Sequence, residues 1–408
     1  MTRWGTALCL AALACGGDSA IVTEYEAARS AAIADPGPAP TDWQPDGALH
    51  FSPALMDSLV TVGLQSYGAL QGTSEASGPL GVRGQVTYDM TVRRLDMVSS
   101  EECERCVAVS VRVGGDVDYR FGPVRGNTPV RIDIGLVQRL DVSSRPDQSF
   151  AVTLVTERVD GVEVQVGNLG GGIRSAVEAE LSKWGEEALM ARMEPIEMGV
   201  FGGADFPLRA LTVDATDDGG ASIHFLTRSP TPSPVGDVIP KLRRGWQLDV
   251  SQQSLLGLAA KAALEQGALS HGVVVQPTGL QMRTGSFDMD LRLWKPEGKG
   301  WWRDYTVSGT VELEGANMTL AATSVEETGQ SPGAVLADPL AAVGESFILK
   351  AIQDGVNQTL PLATVTQASS YRVDLSVRSL MASSQTLIVK GELDVSAAQP
   401  SPTEMRRP

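Results

Sequence analysis

Two stretches of this chain repeat one another. Residues 49–70 begin Leu49-His50-Phe51-Ser52, continue as an apolar run and end Gly68-Ala69-Leu70. Residues 248–269 begin Leu248-Asp249-Val250-Ser251, continue in the same way and end Gly267-Ala268-Leu269. Ser52 to Ser251 and Gly68 to Gly267 are each 199 residues apart. Two matches at one spacing point to a duplicated unit, which constrains the fold more than any composition does. Each copy reads as a short strand entering an amphipathic helix, with Ser as N-cap and Gly as the C-terminal stop.

The rest of the chain falls into place around these copies. In the first unit, 46–228, the helix is expected over 53–67, with Leu55, Leu59 and Val62 on one face at i, i+4 and i+7. Alternating apolar residues predict strands at 86–92, 107–113, 130–136, 150–155 and 162–166, an antiparallel meander with one apolar face. Gly170-Gly171-Gly172 opens a second helix over 173–193, with Val177, Leu181, Trp184 and Ala188 as its stripe. Closing strands are expected at 210–213 and 221–226. Pro230, Pro232, Pro234 and Pro240 make 229–245 a Pro-rich linker.

The second unit, 246–397, repeats the order. A strand at 246–250 enters a helix over 252–266, with Leu255, Leu258, Ala259 and Ala262 on one face. Strands follow at 273–276, 287–293, 305–314 and 317–322. The second helix is expected over 339–359, with Val343, Phe347, Ala351 and Ile352 inward, before closing strands at 371–377 and 387–393. Ile223-His224-Phe225 matches Leu387-Ile388-Val389 at an offset of 164, so the second unit is the shorter. Small residues at Gly185 and Ala351 are read as leaving room beneath the second helices. Residues 398–408 read as a disordered tail.

This order, with the stretches "LDVSQQSLLGLAAKAALEQGAL", "VVVQPTGLQM" and "SSQTLIVKGELDVS", resembles the tubular lipid-binding superfamily. Within it the likeness is to the bactericidal/permeability-increasing protein and lipopolysaccharide-binding protein family. The resemblance implies an α+β fold of two tandem half-barrel domains. Each would be a curled antiparallel sheet packed with two long helices, and apolar pockets would take acyl chains. The helix stripes named above, Leu55 to Ile352, would then be both core and pocket wall. The family's endotoxin binders carry basic tips, whereas this chain has a net charge of −16, so endotoxin recognition does not carry over.

That charge also argues against a nucleic-acid partner, which wants a basic patch. At the start of the chain, Arg3 and an apolar run to Ala14 have the outline of an export signal, 1–14. Ala12-Leu13-Ala14-Cys15-Gly16 resembles a lipobox, in which Cys15 is acylated and becomes the N-terminus; the same residues also fit ordinary signal cleavage. Residues 15–45, rich in Ala, Asp, Pro and Ser, read as the lipidated Cys followed by a flexible tether, with a short helical stretch around 24–32. A membrane partner held through the acyl anchor, at the bacterial outer membrane, is the expectation.

Chemistry is scarce. Cys103-Glu104-Arg105-Cys106 has no second pair for zinc, and a strand rather than a helix follows it. It is therefore expected to be a local disulfide pinning a hairpin turn. The three histidines are scattered, and His50 and His271 are read as exposed residues beside the helix caps. There is no Gly-x-Ser-x-Gly elbow, the glycine run lacks a P-loop ending, and no cofactor or metal is implied. The expected function is non-enzymatic binding or transfer of a lipid or other amphiphile. The alternative is a filled scaffold whose acidic exterior binds an unidentified protein.

Overall fold

The computed structural model describes residues 16–397 apart from 66–69, 78–80, 101–102, 104, 193–194, 204–205, 237–238, 269–271, 298–299, 315–316, 333, 335–359 and 362–370. Residues 1–15, the helix expected over 339–359 with Val343, Phe347, Ala351 and Ile352, and the tail therefore lie outside the described residues.

The described chain opens with α1 (Gly16–Ile33). The first unit then runs β1 (Gly47–Phe51), α2 (Pro53–Gln65), β2 (Leu70–Ser77), β3 (Arg83–Ser100), β4 (Cys106–Phe121), β5 (Val124–Ser144), β6 (Ser149–Val166), α3 (Gly171–Arg192), β7 (Ile196–Gly202), β8 (Leu208–Ala215) and β9 (Ala221–Thr227). The second runs β10 (Trp246–Ser251), α4 (Gln252–Gln266), β11 (Val274–Arg283), β12 (Ser286–Lys295), β13 (Trp301–Glu314), β14 (Asn317–Gln330), β15 (Leu360–Pro361), β16 (Tyr371–Ala382) and β17 (Thr386–Ala397).

The fold is α+β with antiparallel sheets, one of them curled into a half-barrel. Strands β2 to β7 form one sheet in chain order and β11 to β15 another. The third sheet, in the order β16-β17-β10-β1-β9-β8, takes strands from both units. Each unit thus has a sheet of its own, and the entry and closing strands of both units pair in the third. Their shared sheet exists because each unit offers an edge with unpaired backbone groups, and pairing the two satisfies both.

The duplication is written into that pairing. Gly47 pairs with Val250, Leu49 with Leu248 and Phe51 with Trp246. Leu49 and Leu248 are the equivalent residues of the two copies, so a local twofold axis passes between them. Hydrogen bonds at the strand ends obey it. The Ser52 amide donates to the Gly245 carbonyl at 3.0 Å and the Ser251 amide to the Asp46 carbonyl at 2.9 Å. The caps obey it too: Ser52 Oγ accepts from the Leu55 amide and Ser251 Oγ from the Ser254 amide, both at 3.3 Å.

The closing strands correct the sequence alignment. Gly47 faces Phe225 across β1–β9, and its equivalent Trp246 faces Gly391 across β10–β17. Phe225 and Gly391 are therefore equivalent, an offset of 166 rather than 164. A slip of two residues keeps every side chain on its face, so alternation could not detect it. In both pairs an aromatic ring lies over a glycine, but the ring and the glycine have changed strands.

Other expectations also change. The segment read as a flexible tether contains α1, which is docked: Tyr25 and Ala32 are buried against Leu264 of α4, Val274 and Trp294. Beyond it, the Arg209 guanidinium donates to the carbonyls of Pro36, Gly37 and Pro38 at 2.6 to 2.9 Å. Asp35 pairs with Arg228 at 3.0 Å. Residues 16–38 thus form a strap from the second unit to β8 and β9. Strands β2 and β7 had no counterpart in the sequence reading. The runs at 150–155 and 162–166 are one strand, β6, whose pairing with β5 slips at Gly135/Leu136 and Val137/Gln138 and so breaks the alternation.

Helix α4 turns a different face inward from the one expected. It buries Gln252, Ser254, Leu256, Gly257, Ala260 and Leu264, and leaves Ala259 and Ala262 exposed. The reason is what covers it: α1 lies against Leu264, and the Pro-rich segment lies against Ser254 and Gly257. The Pro-rich segment is also packed: the Val235 amide donates to the Pro45 carbonyl at 2.9 Å and the Ser233 amide to Ser254 Oγ at 3.1 Å.

Candidate ligand site at the junction of the sheets

The apolar face of the shared sheet lies at the meeting of two cores. Leu49 and Phe51 of β1, with Leu248 of β10, pack against both. Helix α2 starts there because Ser52 caps it and Pro53 fills the first position, where no amide donor is needed. Its side chains divide between the cores: Met56 enters the first, Leu55 the second, and Leu59 touches both.

Beneath α2 a void of about 30 Å³ remains. Phe51, Met56 and Leu59 form one wall; Leu140, Val152, Met198 and Phe201 from β5, β6 and β7 form another; Val213, Ala221 and Ile223 from β8 and β9 close it. Every lining residue is apolar, so the void has no partner for water. Its volume is about two to three times the roughly 10–15 Å³ that one water needs, a seam rather than a chamber.

Of the sequence-predicted pocket residues, Leu55, Leu59 and Leu255 converge on this junction. Val177, Leu181 and Trp184 of α3 are buried in the first core but do not line the void. Trp184 packs against Tyr88, ring centroids 5.0 Å apart. The room expected at Gly185 is filled, because a methyl there would fall 2.8 Å from Val162. Leu258 is half-buried and Ala262 exposed; the side chain of Val62 lies outside the described residues. Reading the sequence missed Met198 and Phe201, because β7 was not recognised after Pro195. The alternation Ile196, Met198, Val200 was its signal.

The other face of the shared sheet carries a buried polar cluster. His50, expected to be exposed, is 3% exposed. Its Nδ1 lies 2.8 Å from Ser222 Oγ and its Nε2 lies 3.4 Å from Asp249 Oδ2. Gln247 Nε2 donates to both Asp249 oxygens at 2.9 and 3.0 Å. Ser222 is fully buried in the sheet. Nearby, burial lifts the Asp46 carboxyl above the usual carboxylate range, against hydrogen bonds from the Thr227 hydroxyl and amide that pull it down.

The expected disulfide joins Cys103 and Cys106 at the start of β4, with the Cα atoms 5.3 Å apart. Among the described residues no group of three or more His, Cys, Asp or Glu could hold a metal ion. No described helix is long and apolar enough to cross a membrane.

No family model matches this chain, and no curated protein matches it in sequence. Solved structures resemble it in their overall course. Lipopolysaccharide binding protein is 10% identical, with 86% of this chain and 99% of that one covered at a TM-score of 0.43. P47 of Clostridium botulinum E1 is 7% identical, with 86% and 100% covered at 0.38. P47 from Clostridium botulinum A2 is 9% identical, with 85% and 97% covered at 0.34.

Proposed function

We propose that this chain is an acyl-anchored envelope protein that binds the apolar chain of a lipid or other amphiphile beneath α2, without covalent chemistry. The observation that carries this reading is the all-apolar seam where α2, the first sheet and the shared sheet meet. Two of its walls are Met56 and Met198, unbranched side chains that rearrange at little cost. A ligand chain enters by lifting α2 and moving these two, because the resting void is small. The driving force is ample: a sixteen-carbon chain releases roughly 13 kcal/mol on full burial, at about 0.8 per methylene. Ordering and partial burial reduce this.

A non-enzymatic role is supported by the setting of Ser222, whose hydroxyl lies 2.8 Å from His50 Nδ1. It is buried within the sheet, where it holds His50 in place. The acyl anchor rests on the residues around Cys15.

The test is native mass spectrometry of the Cys15→Ser chain. A bound lipid mass that disappears when Leu59→Trp is added to plug the seam is the expected result; a Cys15→Ser chain that never carries lipid sinks the reading. Cys15→Ser should also move the protein from the membrane to the soluble fraction, since stable anchoring takes two or more acyl chains. A second reading, a filled scaffold for another protein, is favoured by the smallness of the void and by Val162 occupying the space at Gly185.

A further inference from the structure

Helix α1 has a fixed place and direction. A methyl added at Gly300, between β12 and β13, would lie 3.3 Å from Ile21. One turn on, Tyr25 meets Trp294 with ring centroids 5.9 Å apart. Another turn on, Arg29 Nε reaches the Leu264 carbonyl at 3.5 Å. The helix therefore runs away from the β12–β13 connection, and its first residue lies on the side of that connection. At 1.5 Å per residue, Gly16 is roughly 8 Å along the axis from Ile21, and Cys15 is bonded directly to it. A flexible tether of thirty residues would instead allow about 30 Å. An acyl group on Cys15 thus brings the bilayer close to this end of the second unit.

That end is suited to a headgroup layer. Three of the chain's seven tryptophans, Trp294, Trp301 and Trp302, lie within nine residues of one another; Trp294 is buried under α1, and Trp301 and Trp302 are part-exposed. Trp294 and Trp302 hold the Arg292 guanidinium between them, at 5.3 and 4.2 Å from the ring centroids. Trp301, part-exposed, pairs across the hairpin with part-exposed Lys295, and the Arg303 guanidinium lies 5.9 Å from its ring. Glu297 is the exposed acid of the connection. Tryptophans and long basic side chains concentrate where a protein meets lipid headgroups, the ring in the apolar boundary and the charge among phosphates. Arg292 and Arg303 are already paired, with Asp304 at 2.6 Å and Glu327 at 3.1 Å, so Lys295 is the described cation of this end that is offered to phosphates.

We propose that the β12–β13 end is a membrane-contact surface, with Trp301 inserted at the headgroup boundary and the body held in one orientation by α1. The inference rests on the acylation of Cys15 put forward above. The experiment uses the acylated full chain on vesicles of brominated phosphatidylcholine, whose bromines quench tryptophans at that depth. Part of the wild-type emission should be quenched. Trp301→Phe should lose most of that quenching, and Trp43→Phe should keep it. Amide exchange supplies a second readout, with backbone amides of residues 301–303 slowed on vesicles. The mass of the N-terminal peptide separates the two ways to fail. An unacylated Cys15 removes the anchor and the inference with it. An acylated Cys15 with quenching unchanged in Trp301→Phe, or with no slowing at 301–303, overturns the contact surface and leaves the anchor.

Discussion

Helices α2 and α4 are copies that have come to do different work. Both leave the shared sheet at equivalent serines, with caps of equal length. The copy in α2 spends its apolar residues on two cores at once. The copy in α4 is covered by α1 and buries polar residues at its start. Gln252, where α2 has Pro53, takes the Met282 amide at 2.7 Å and donates to the carbonyls of Met282 and Ser383. Duplication preserved the entry to each helix, where backbone groups must be satisfied. The faces diverged according to what came to lie against them. The same holds on the sheet. His50 and Asp249 are equivalent positions that touch across the twofold axis, and a pair that a duplication would make alike has become complementary.

The largest expected effect breaks the copy that has acquired a cover. Leu264→Ala empties a fully buried site between α4 and α1 and should cost about 2–5 kcal/mol. Limited proteolysis should then cut within residues 16–38, and intact resistance would show that α1 is held elsewhere. The next tests the exchanged glycines. Gly391→Ala should overpack by about 1–3 kcal/mol, because the new methyl meets both the Trp246 ring and the Ser376 carbonyl oxygen. Gly47→Ala, whose new methyl has its nearest neighbours in the Phe225 ring, should cost less in the same denaturant titration; the reverse order would refute the equivalence of the pairs.

A smaller effect should come from Cys103→Ser with Cys106→Ser. Their loop is so short that the loss should stay under about 2 kcal/mol, and a chain that no longer folds would contradict a local staple. Ser52→Ala and Ser251→Ala should each cost about 1 kcal/mol by thermal or chemical melting, and a wide gap between them would mean the caps are not twins.

The smallest concerns Asp46, whose equivalent Gly245 carries no charge. Its folded pKa is raised, chiefly by burial. The stability it contributes is therefore full below the ordinary carboxylate range and is lost as pH rises through the raised folded value. Relative to Asp46→Asn, the wild type should gain stability as pH falls through that window. Parallel stability curves for the two would remove the burial effect.

What could be read in advance follows from where the signals are local. The helix at 252–266 and most strand centres were legible, because alternation and capping residues sit within a few positions. The strap was partly legible. Ile21, Tyr25, Ala28 and Ala32 have helical spacing, but the alanine and proline around them suggested a tether. Which face α4 buries was not legible, because it is set by α1, more than two hundred residues away, and by the packing of the Pro-rich segment. The void was half legible: Leu59 is on a visible stripe, whereas Met198 and Phe201 reach it only through the course of β7.

The shared sheet also dictates an order of assembly. Leu49 must wait for Ile223 and Leu248 before it has a neighbour on either side, and Leu248 in turn waits for Val389. Pairings so distant in sequence are paid for in chain entropy before they return any stability, which slows folding. Strand β1 emerges early and remains an open edge until β10 has been made, and β10 in turn until β17 has been made, so the centre of the molecule is the last part to set.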